Sequence, residues 1–331
     1  MQRALPRLRL SRAVAALAAA LLAVSAAGCT GTPEPPPSPV PDVRIAAVGD
    51  MNDAENLDPD SPSGKNGAAI TQLVEKNEID AFLGLGDFQY STAHCEDYVQ
   101  YWEQLWGGTK PKLYWVSAPN HDWEPGRNED LDNFMNGQCP GSTAKAAINQ
   151  EQGFIRNGKP YSKDFGNWHF AFLPSALWRY NPEEARAATE WLDKDLAAAE
   201  AAGKHLAAVY HEPYFTSNTD GHERAAEHKP WIDVMWKHRV LLTLSGSQHN
   251  YERSCPVNNS DECVSDGMTA FQVSTGGTGL RPFTSSPRYI EKRFSDTYGF
   301  LRLTLHGDGS FDWNFVPTSG SSTDSGTRSA P

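Results

Sequence analysis

The sequence predicts an α/β protein in which sheets and helices form layers. Short apolar runs alternate along the chain with longer stretches of helical periodicity, a pattern typical of strands separated by helices. The 331 residues suffice for one large domain or two modest ones, and a composition of 39% hydrophobic and 11% aromatic residues suffices for a sizeable core. The composition therefore excludes a chain that is disordered throughout.

The sequence of the first half of the domain predicts strands that alternate with helices. Apolar runs predict strands at 43–48, 81–85 and 113–117. Apolar residues at helical spacing predict helices at 67–77 and 96–106. A stretch rich in Gly, Asn and charge then predicts a long surface excursion over 124–160.

The second half continues the alternation. The clearest predicted helix is capped by Asn181, has Pro182 in its first turn and is closed by Gly203. A hairpin is predicted from 161–165 and 168–173, a short helix at 231–238, and further strands at 206–210, 240–245, 268–274, 300–305 and 311–316. The Ser/Thr/Gly-rich tail over 318–331 is predicted to be disordered.

The N-terminus predicts export. Residues 1–28 carry four arginines, an apolar run and then small residues, which is the pattern of a secretory signal. The apolar run is too short to span a membrane comfortably. The run ends in Ala-Ala-Gly before Cys29 and resembles a bacterial lipobox, so Cys29 is a candidate lipid anchor. The alternative is an ordinary secreted protein. If Cys29 carries a lipid, the Pro-rich linker over 29–42 would hold a domain over 43–317 away from the membrane.

The net charge bears on the class of binding partner, and the cysteines bear on possible disulfides. The formal net charge of −12 becomes −16 without residues 1–28, whose charged residues are four arginines. A nucleic-acid-binding surface is therefore not expected, because that affinity comes from basic residues. Export would permit disulfides. The short separation of Cys255 and Cys263 suggests a local bridge, which leaves Cys95 with Cys139, although the sequence does not fix the connectivity.

Polar residues that can bind metals follow five predicted strands, at the edge where ligands gather in open α/β sheets. Taken singly, each has an ordinary explanation, since Asp often turns the chain and a buried His more often satisfies a hydrogen bond. The ordered set is more informative than its members. The residues are Asp50, Asp87, Tyr90, Asn120, His121, Asp122, His211 and His249.

The order of these motifs resembles that of the calcineurin-like metallophosphoesterase superfamily, and more narrowly its purple acid phosphatase branch, particularly bacterial exported members. Gly86 to Tyr90 matches the motif Gly-Asp-x-x-Tyr, and Asn120 to Asp122 matches the third motif. His211 matches the fourth motif and His249 lies at the end of the fifth. The likeness extends over 43–317.

The resemblance implies a four-layer αββα sandwich of two mixed β-sheets flanked by helices, with a two-metal site between the sheets. It implies that Asp87 bridges the metals. A Tyr90 phenolate favours a trivalent first metal, so iron is expected there, with zinc, manganese or iron beside it. The implied ligands are Asp50, Asp87, Tyr90 and His249 for the first metal, and Asp87, Asn120 and His211 for the second.

The resemblance also implies an activity. The expected reaction is hydrolysis of phosphate monoesters or diesters by metal-activated hydroxide. Asn120 and His121 are expected to contact the substrate. His121 would protonate or orient the leaving oxygen, and Asp122 would hold its ring. The expected partners are a phosphoester, metal ions and, through the lipid anchor, a membrane.

The fifth motif departs from the family pattern. Ser247 stands where the first His of Gly-His-x-His ligates the second metal. Loss of that imidazole is expected to weaken the second site by at least about 10- to 100-fold. The site could use Ser247 or water for a harder metal, the enzyme could be weak or specialised, or turnover could be lost. The rival hypothesis is a non-catalytic binding protein. His222 is read as a surface residue rather than a substrate contact.

Overall fold

The computed structural model describes residues 40–91, 93–116, 118–123, 129–142 and 158–330. The predicted signal, the candidate anchor Cys29 and nearly all of the linker lie outside these residues, as does most of the predicted excursion over 124–160. Among the helices of the described residues, none is both long and apolar enough to cross a membrane.

Thirteen strands in the described residues build two mixed sheets. They are β1 (Val43–Val48), β2 (Ala81–Gly84), β3 (Leu113–Trp115), β4 (Tyr161–Phe165), β5 (Trp168–Phe172), β6 (His205–Val209), β7 (Leu242–Ser245), β8 (Tyr251–Val257), β9 (Met268–Val273), β10 (Ile290–Phe294), β11 (Tyr298–Leu305), β12 (Phe311–Ser319) and β13 (Ser325–Arg328). The first sheet has the order β13-β12-β11-β1-β2-β3, and the second has the order β10-β8-β9-β7-β6-β5-β4.

Helices cover the sheets. They are α1 (Pro62–Glu75), α2 (Cys95–Asp97), α3 (Glu103–Trp106), α4 (Asp130–Met135), α5 (Leu177–Tyr180), α6 (Pro182–Ala201) and α7 (Lys229–Lys237). Helix α1 packs on the first sheet, and Leu192 of α6 and Trp231 of α7 pack on the second. The inner faces of both sheets share one apolar core that includes Phe82, Leu244 and Phe271. The predicted αββα sandwich is confirmed.

Parallel pairing determines where the polar strand ends meet. Strand β1 pairs in parallel with β2, and β2 with β3. In the second sheet β5, β6, β7 and β9 are parallel neighbours. These strands are buried on both faces, which explains their continuous apolar sequences. The residues that follow β1, β2, β6 and β7 are therefore brought to one edge of the sandwich.

Two helices differ from their predicted bounds. Helix α1 begins at Pro62, earlier than predicted, because the Ser61 side chain accepts a hydrogen bond from Gly64 N and Pro62 has a fixed helical φ. The helix predicted over 96–106 is divided into α2, a π-helical turn over Tyr98–Trp102, and α3. Strands β8, β10 and β13 have no counterpart among the predicted strands.

Residues 318–330 are ordered, so the prediction of a disordered tail over 318–331 is wrong for the part that the structure describes. Strand β12 runs past the predicted domain boundary and β13 pairs with it. Asp324 accepts hydrogen bonds from Tyr251 Oη at 2.8 Å and from Arg253 Nε at 2.7 Å. The Arg328 guanidinium donates to Leu241 O, just before β7 of the second sheet, at 3.1 Å. Buried charged contacts thus order a segment whose composition is typical of disorder.

Both suggested disulfides are present. Cys95 is bonded to Cys139, and Cys255 to Cys263. The first bridge joins the start of α2 to the segment after α4, and the second closes a short loop after β8.

His169 on β5 lies between two carboxylates. Its Nδ1 is 2.7 Å from Asp164 Oδ1 and its Nε2 is 2.8 Å from Asp195 Oδ2. Carboxylates only accept, so both ring nitrogens must carry protons to satisfy this geometry. Burial alone would lower the pKa of His169, but hydrogen bonds and charges from Asp195 and Asp164 raise it above its ordinary value. Lys204 also contacts Asp164, at 3.1 Å.

This geometry predicts a pH-dependent contribution to stability. Because the folded pKa of His169 is raised, its pairing stabilises the fold fully below the unfolded pKa of about 6.5 and is lost as the pH rises through the folded pKa. We expect His169→Gln to lower the free energy of unfolding by about 1.5 to 3 kcal/mol near pH 5. At about pH 9 the loss of unfolding free energy is expected to be smaller than near pH 5.

Urea denaturation at both pH values measures this difference. His205→Gln is a matched control, since the His205 ring contacts the carbonyl of Gly307 and lacks such a pair of carboxylates. An equal loss for His169→Gln at the two pH values would show that the imidazolium pairing does not contribute.

Candidate metal centre

The ends of β1 and β2 place two carboxylates side by side. Asp50 N donates to Gly86 O and Met51 N donates to Asp87 O, both at 2.9 Å. Asp50 and Asp87 adopt φ values of 56° and 51°, in the left-handed region that non-glycine residues avoid. His249, which follows β7, also has a positive φ, of 54°. Such strain persists where surrounding contacts enforce it, and it is concentrated at functional sites.

Five of the predicted ligands converge at this edge. Ligand atoms of Asp50, Asp87 and His211 all lie within 4.8 Å of one another and are buried. Tyr90 Oη is 2.7 Å from Asp50 Oδ1, 2.6 Å from Asp87 Oδ2 and 3.1 Å from His249 Nε2. One phenol proton cannot serve two carboxylates at these distances. The negative charge of this cluster is therefore only partly offset by the hydrogen bond of Tyr90, which suits it to a cation.

The imidazoles are oriented as metal ligands usually are. His211 Nδ1 is held by Leu85 O at 2.7 Å, and His249 Nδ1 by Gly279 O at 2.9 Å. This leaves both Nε2 atoms facing the carboxylates, at 3.0 Å for His211 with Asp87 and at 3.3 Å for His249 with Asp50. Holding one ring nitrogen through a carbonyl fixes the orientation of the other toward a metal.

One buried atom of a predicted second-metal ligand, Asn120 Oδ1, has no hydrogen-bond partner among the described residues. The other predicted ligand, His211, has its Nε2 paired with the Asp87 carboxylate at 3.0 Å. A buried polar atom without a partner is costly, and a cation can satisfy it. The residues present therefore fit a metal at both proposed positions.

Burial and charge shift the pKa values of three candidate ligands. Burial raises the pKa of Tyr90, and the charges of Asp50 and Asp87 raise it further. Burial alone would lower the pKa of His211, but the Asp87 charge raises it well above its usual range. Burial alone would raise the pKa of Asp87, yet His211 and the Tyr90 hydrogen bond lower it below its usual range. Metal binding would therefore release protons, and its affinity would fall in acid.

His121 lies beside the cluster. Its backbone N donates to Asp87 Oδ1 at 3.0 Å, and its half-buried ring has its centroid 4.4 Å from that of Tyr90. Its Nδ1 contacts Ser91 O. The structure thus brings His121 to the ligands, at a place where its ring could reach a bound substrate.

Asp122 does not hold the His121 ring, contrary to the prediction. Its carboxylate accepts hydrogen bonds from Phe88 N at 2.8 Å, Gln89 N at 3.4 Å and Tyr98 Oη at 2.7 Å. These buried donors need an acceptor, and the carboxylate turns inward to supply it. Burial raises the pKa of Asp122 to about 7. Asp122 therefore shapes the loop that carries Asp87 and Tyr90.

Ser247 contacts the cluster through its backbone. Its N donates to Asp50 Oδ2 at 2.8 Å, and Ser274 Oγ contacts the same oxygen. Asp50 Oδ2 is thus held by the protein, while Oδ1 faces Tyr90. A serine side chain offers no imidazole, so a metal near Asp87 would have one histidine ligand fewer than the family pattern predicts.

Some residues near the site were not anticipated. His222 is half-buried, with its ring centroid 6.1 Å from that of His249. Burial lowers the pKa of His222 to about 4, and the nearby Arg281 charge lowers it further. A lone histidine in a loop carries no sequence signal of this placement.

The glycine turn after β9 packs against the backbone at Asp50. A Cβ on Gly276 would lie 2.6 Å from Gly49 O, and one on Gly277 would lie 2.3 Å from Met51 O. Glycine is therefore required there by a close backbone approach.

No known family profile matches the chain. Two curated relatives are 25% identical to this chain. "Probable inactive purple acid phosphatase 27" of Arabidopsis thaliana aligns over 308 residues, 83% of this chain and 48% of the relative. "Nucleotide pyrophosphatase/phosphodiesterase" of Hordeum vulgare aligns over 306 residues, 83% of this chain and 80% of the relative. The chain spans about half the length of the first of these.

Solved structures share the fold. A purple acid phosphatase from yellow lupin, PPD1, has a TM-score of 0.65 at 20% identity, over 87% of this chain and 54% of that one. GAP50, the anchor in the inner membrane complex of Plasmodium, has a TM-score of 0.65 at 15% identity, over 88% of this chain and 89% of that one. A dimetal phosphatase from Danio rerio has a TM-score of 0.55 at 14% identity, over 89% of this chain and 100% of that one. The chain has the calcineurin-like phosphatase fold and, at low identity, is similar to the purple acid phosphatases.

Proposed function

We propose that the chain is an exported metallophosphoesterase that hydrolyses phosphate monoesters or diesters. The observation that supports this most is the convergence of two carboxylates, a phenol and two imidazole Nε2 atoms at the ends of parallel strands. Two bound metals would activate a water molecule and offset the charge of the phosphoryl group. Iron is proposed for the position beside Tyr90, with zinc, manganese or iron at the other.

The protein side chains would divide the remaining work. Asp50, Tyr90 and His249 hold one position and Asn120 and His211 the other, with Asp87 shared between them. His121 is proposed to bind the substrate and to protonate or orient the leaving oxygen, because its ring lies beside Tyr90 at the edge of the cluster. Asn120 would also contact the substrate. Asp122 is proposed to act through the loop that it holds.

Turnover and metal content together test the proposal. We expect protein loaded with iron plus zinc or manganese to hold two metals per chain and to hydrolyse members of a panel of aryl monoesters and diesters between about pH 4 and pH 9. Metal content is measured by elemental mass spectrometry. Protein that carries two metals and is inert toward the whole panel would contradict the catalytic proposal.

The second candidate is a non-catalytic metal- or phosphate-binding protein at the cell surface. The observation that favours it is Ser247, which brings no imidazole to the second position. Relatives named as probable inactive phosphatases and an anchor protein of the same fold are consistent with it. This candidate predicts one tightly held metal per chain, whereas the enzyme predicts two.

Export is part of the proposal. The signal-like N-terminus supports it, and the two disulfides are compatible with an oxidising compartment. We propose Cys29 as the lipidated residue that holds the domain at a membrane. Mass spectrometry of the mature N-terminus distinguishes this from an ordinary secreted protein.

A further inference from the structure

Two loops form a wall beside the metal ligand His249. The His222 loop, residues 214–223, follows β6, and its half-buried imidazole lies 6.1 Å from the His249 ring. The Arg281 loop, residues 276–287, follows β9, and Arg281 N donates to His249 O at 2.9 Å. A phosphoryl group bound at the metals would lie next to this wall.

A buried carboxyl group beneath the wall, that of Glu252, holds the first of these loops. Glu252 on β8 has 1% of its surface exposed. Its two oxygens accept from Ser217 N at 3.0 Å and 2.7 Å, and Oε1 also accepts from Thr216 Oγ1 at 3.2 Å. Three contacts of this kind to one short segment fix its backbone relative to β8.

The same point of attachment joins the two loops. Arg293 Nη1 donates to Ser217 Oγ at 3.0 Å and to Ser285 O at 2.6 Å. Asn218 N donates to Ser285 Oγ, and Thr284 N to Asn218 O, both at 2.7 Å. Displacement of Ser217 would therefore move both loops, and with them the wall beside His249.

We propose that Glu252 is a positioning residue for substrate binding, which acts by fixing the His222 and Arg281 loops beside the metals. The inference rests on the proposed phosphoesterase site. Glu252 has no contact with the ligand cluster, so its removal is expected to leave metal content unchanged. A displaced loop lowers affinity because binding groups lose the geometry that the folded protein prepares for them.

Binding of inorganic phosphate to the metal-loaded protein tests this without requiring turnover. We expect Glu252→Ala to weaken phosphate binding by about tenfold, measured by titration calorimetry, with metal content per chain as in the wild type. Glu252→Gln should weaken it by no more than about threefold, since the amide keeps an acceptor oxygen for Ser217 N. Burial raises the pKa of Glu252 to about 8, so near neutral pH the uncharged amide is also a close electrostatic substitute.

Asp324→Asn provides the matched control. Asp324 is also buried, and its partners Tyr251 and Arg253 flank Glu252 on β8, so their side chains leave the opposite face of the strand. This variant is expected to lose stability and keep the phosphate affinity of the wild type. The circular dichroism spectrum of each variant reports whether it is folded.

The outcomes separate the two proposals. If the metal-loaded wild type binds no phosphate, the proposed function fails and the positioning role fails with it. If the wild type binds phosphate, and folded Glu252→Gln and Glu252→Ala both bind it as tightly as the wild type does, only the positioning role is overturned. If Asp324→Asn weakens binding as much as Glu252→Ala, the effect is one of general stability and the positioning role is again overturned.

Discussion

Replacing Asp87 is expected to remove metal from the site and to lower phosphoesterase turnover by more than about 100-fold. Its carboxylate contacts members of both ligand sets, accepting from Tyr90 Oη at 2.6 Å and lying 3.0 Å from His211 Nε2. It also accepts the backbone N of His121 at 3.0 Å. Removal therefore affects both metals and the placement of His121 together. Metal content per chain and hydrolysis of an aryl phosphate measure the two losses.

Two variants keep this result interpretable. Asp87→Ala leaves the buried His211 without its carboxylate and is expected to cost about 3 to 5 kcal/mol of stability. Asp87→Asn keeps an oxygen acceptor for the His121 backbone and should fold more readily. Asp60→Asn, an exposed acid before α1, is a control that should retain metal and activity. A folded Asp87→Asn with full metal content and turnover would contradict the assignment of Asp87 as the shared metal ligand.

The sequence predicts the site better than it predicts the surroundings of the site. The ligands follow strands whose apolar runs are unmistakable, and parallel neighbours must bring their carboxyl ends together. Asp50 and Asp87 could therefore be placed at one edge from local pattern alone. Which way a side chain turns is not encoded in that pattern. Asp122 follows the same rule of position, yet its carboxylate turns toward Phe88 N rather than toward His121.

The missed elements lack a local apolar signal. Strand β10 is an edge strand with the sequence Ile-Glu-Lys-Arg-Phe, and charged residues at a sheet edge limit unwanted pairing. Strand β13 is Ser-Gly-Thr-Arg, and the residue before it, Asp324, pairs with Arg253 across 71 residues of the chain. Contacts over such separations cannot be read from composition.

The acidity of the chain increases the importance of the second metal position. The surface charge would repel anionic phosphoesters in solution, so substrate affinity must come from the cleft. Within the cleft, cationic charge near the phosphoryl group would come chiefly from metals. A weakened second position would therefore reduce binding as well as turnover, so the residue at position 247 would influence both.

Ser247→His is expected to tighten binding of the second metal by about 10- to 100-fold, since it restores the imidazole that the family motif places there. The position can accept the change locally, because Ser247 has a φ of 77° and His is among the non-glycine residues that tolerate this region. Its backbone N would still donate to Asp50 Oδ2, so the first position should be unaffected. Titration of each metal, followed by elemental analysis, measures the change independently of catalysis.

Comparison with Ser247→Ala separates a new ligand from a loss of the hydroxyl. If Ser247 Oγ already serves the second metal, Ser247→Ala lowers metal content below that of the wild type and Ser247→His exceeds it only modestly. If the hydroxyl contributes nothing, Ser247→Ala matches the wild type and Ser247→His alone gains affinity. Turnover that rises with the added metal would show that the second site limits catalysis. A gain of metal without turnover would show that catalysis is limited elsewhere, and a His variant with no gain of metal would contradict the assignment of position 247 to the second site.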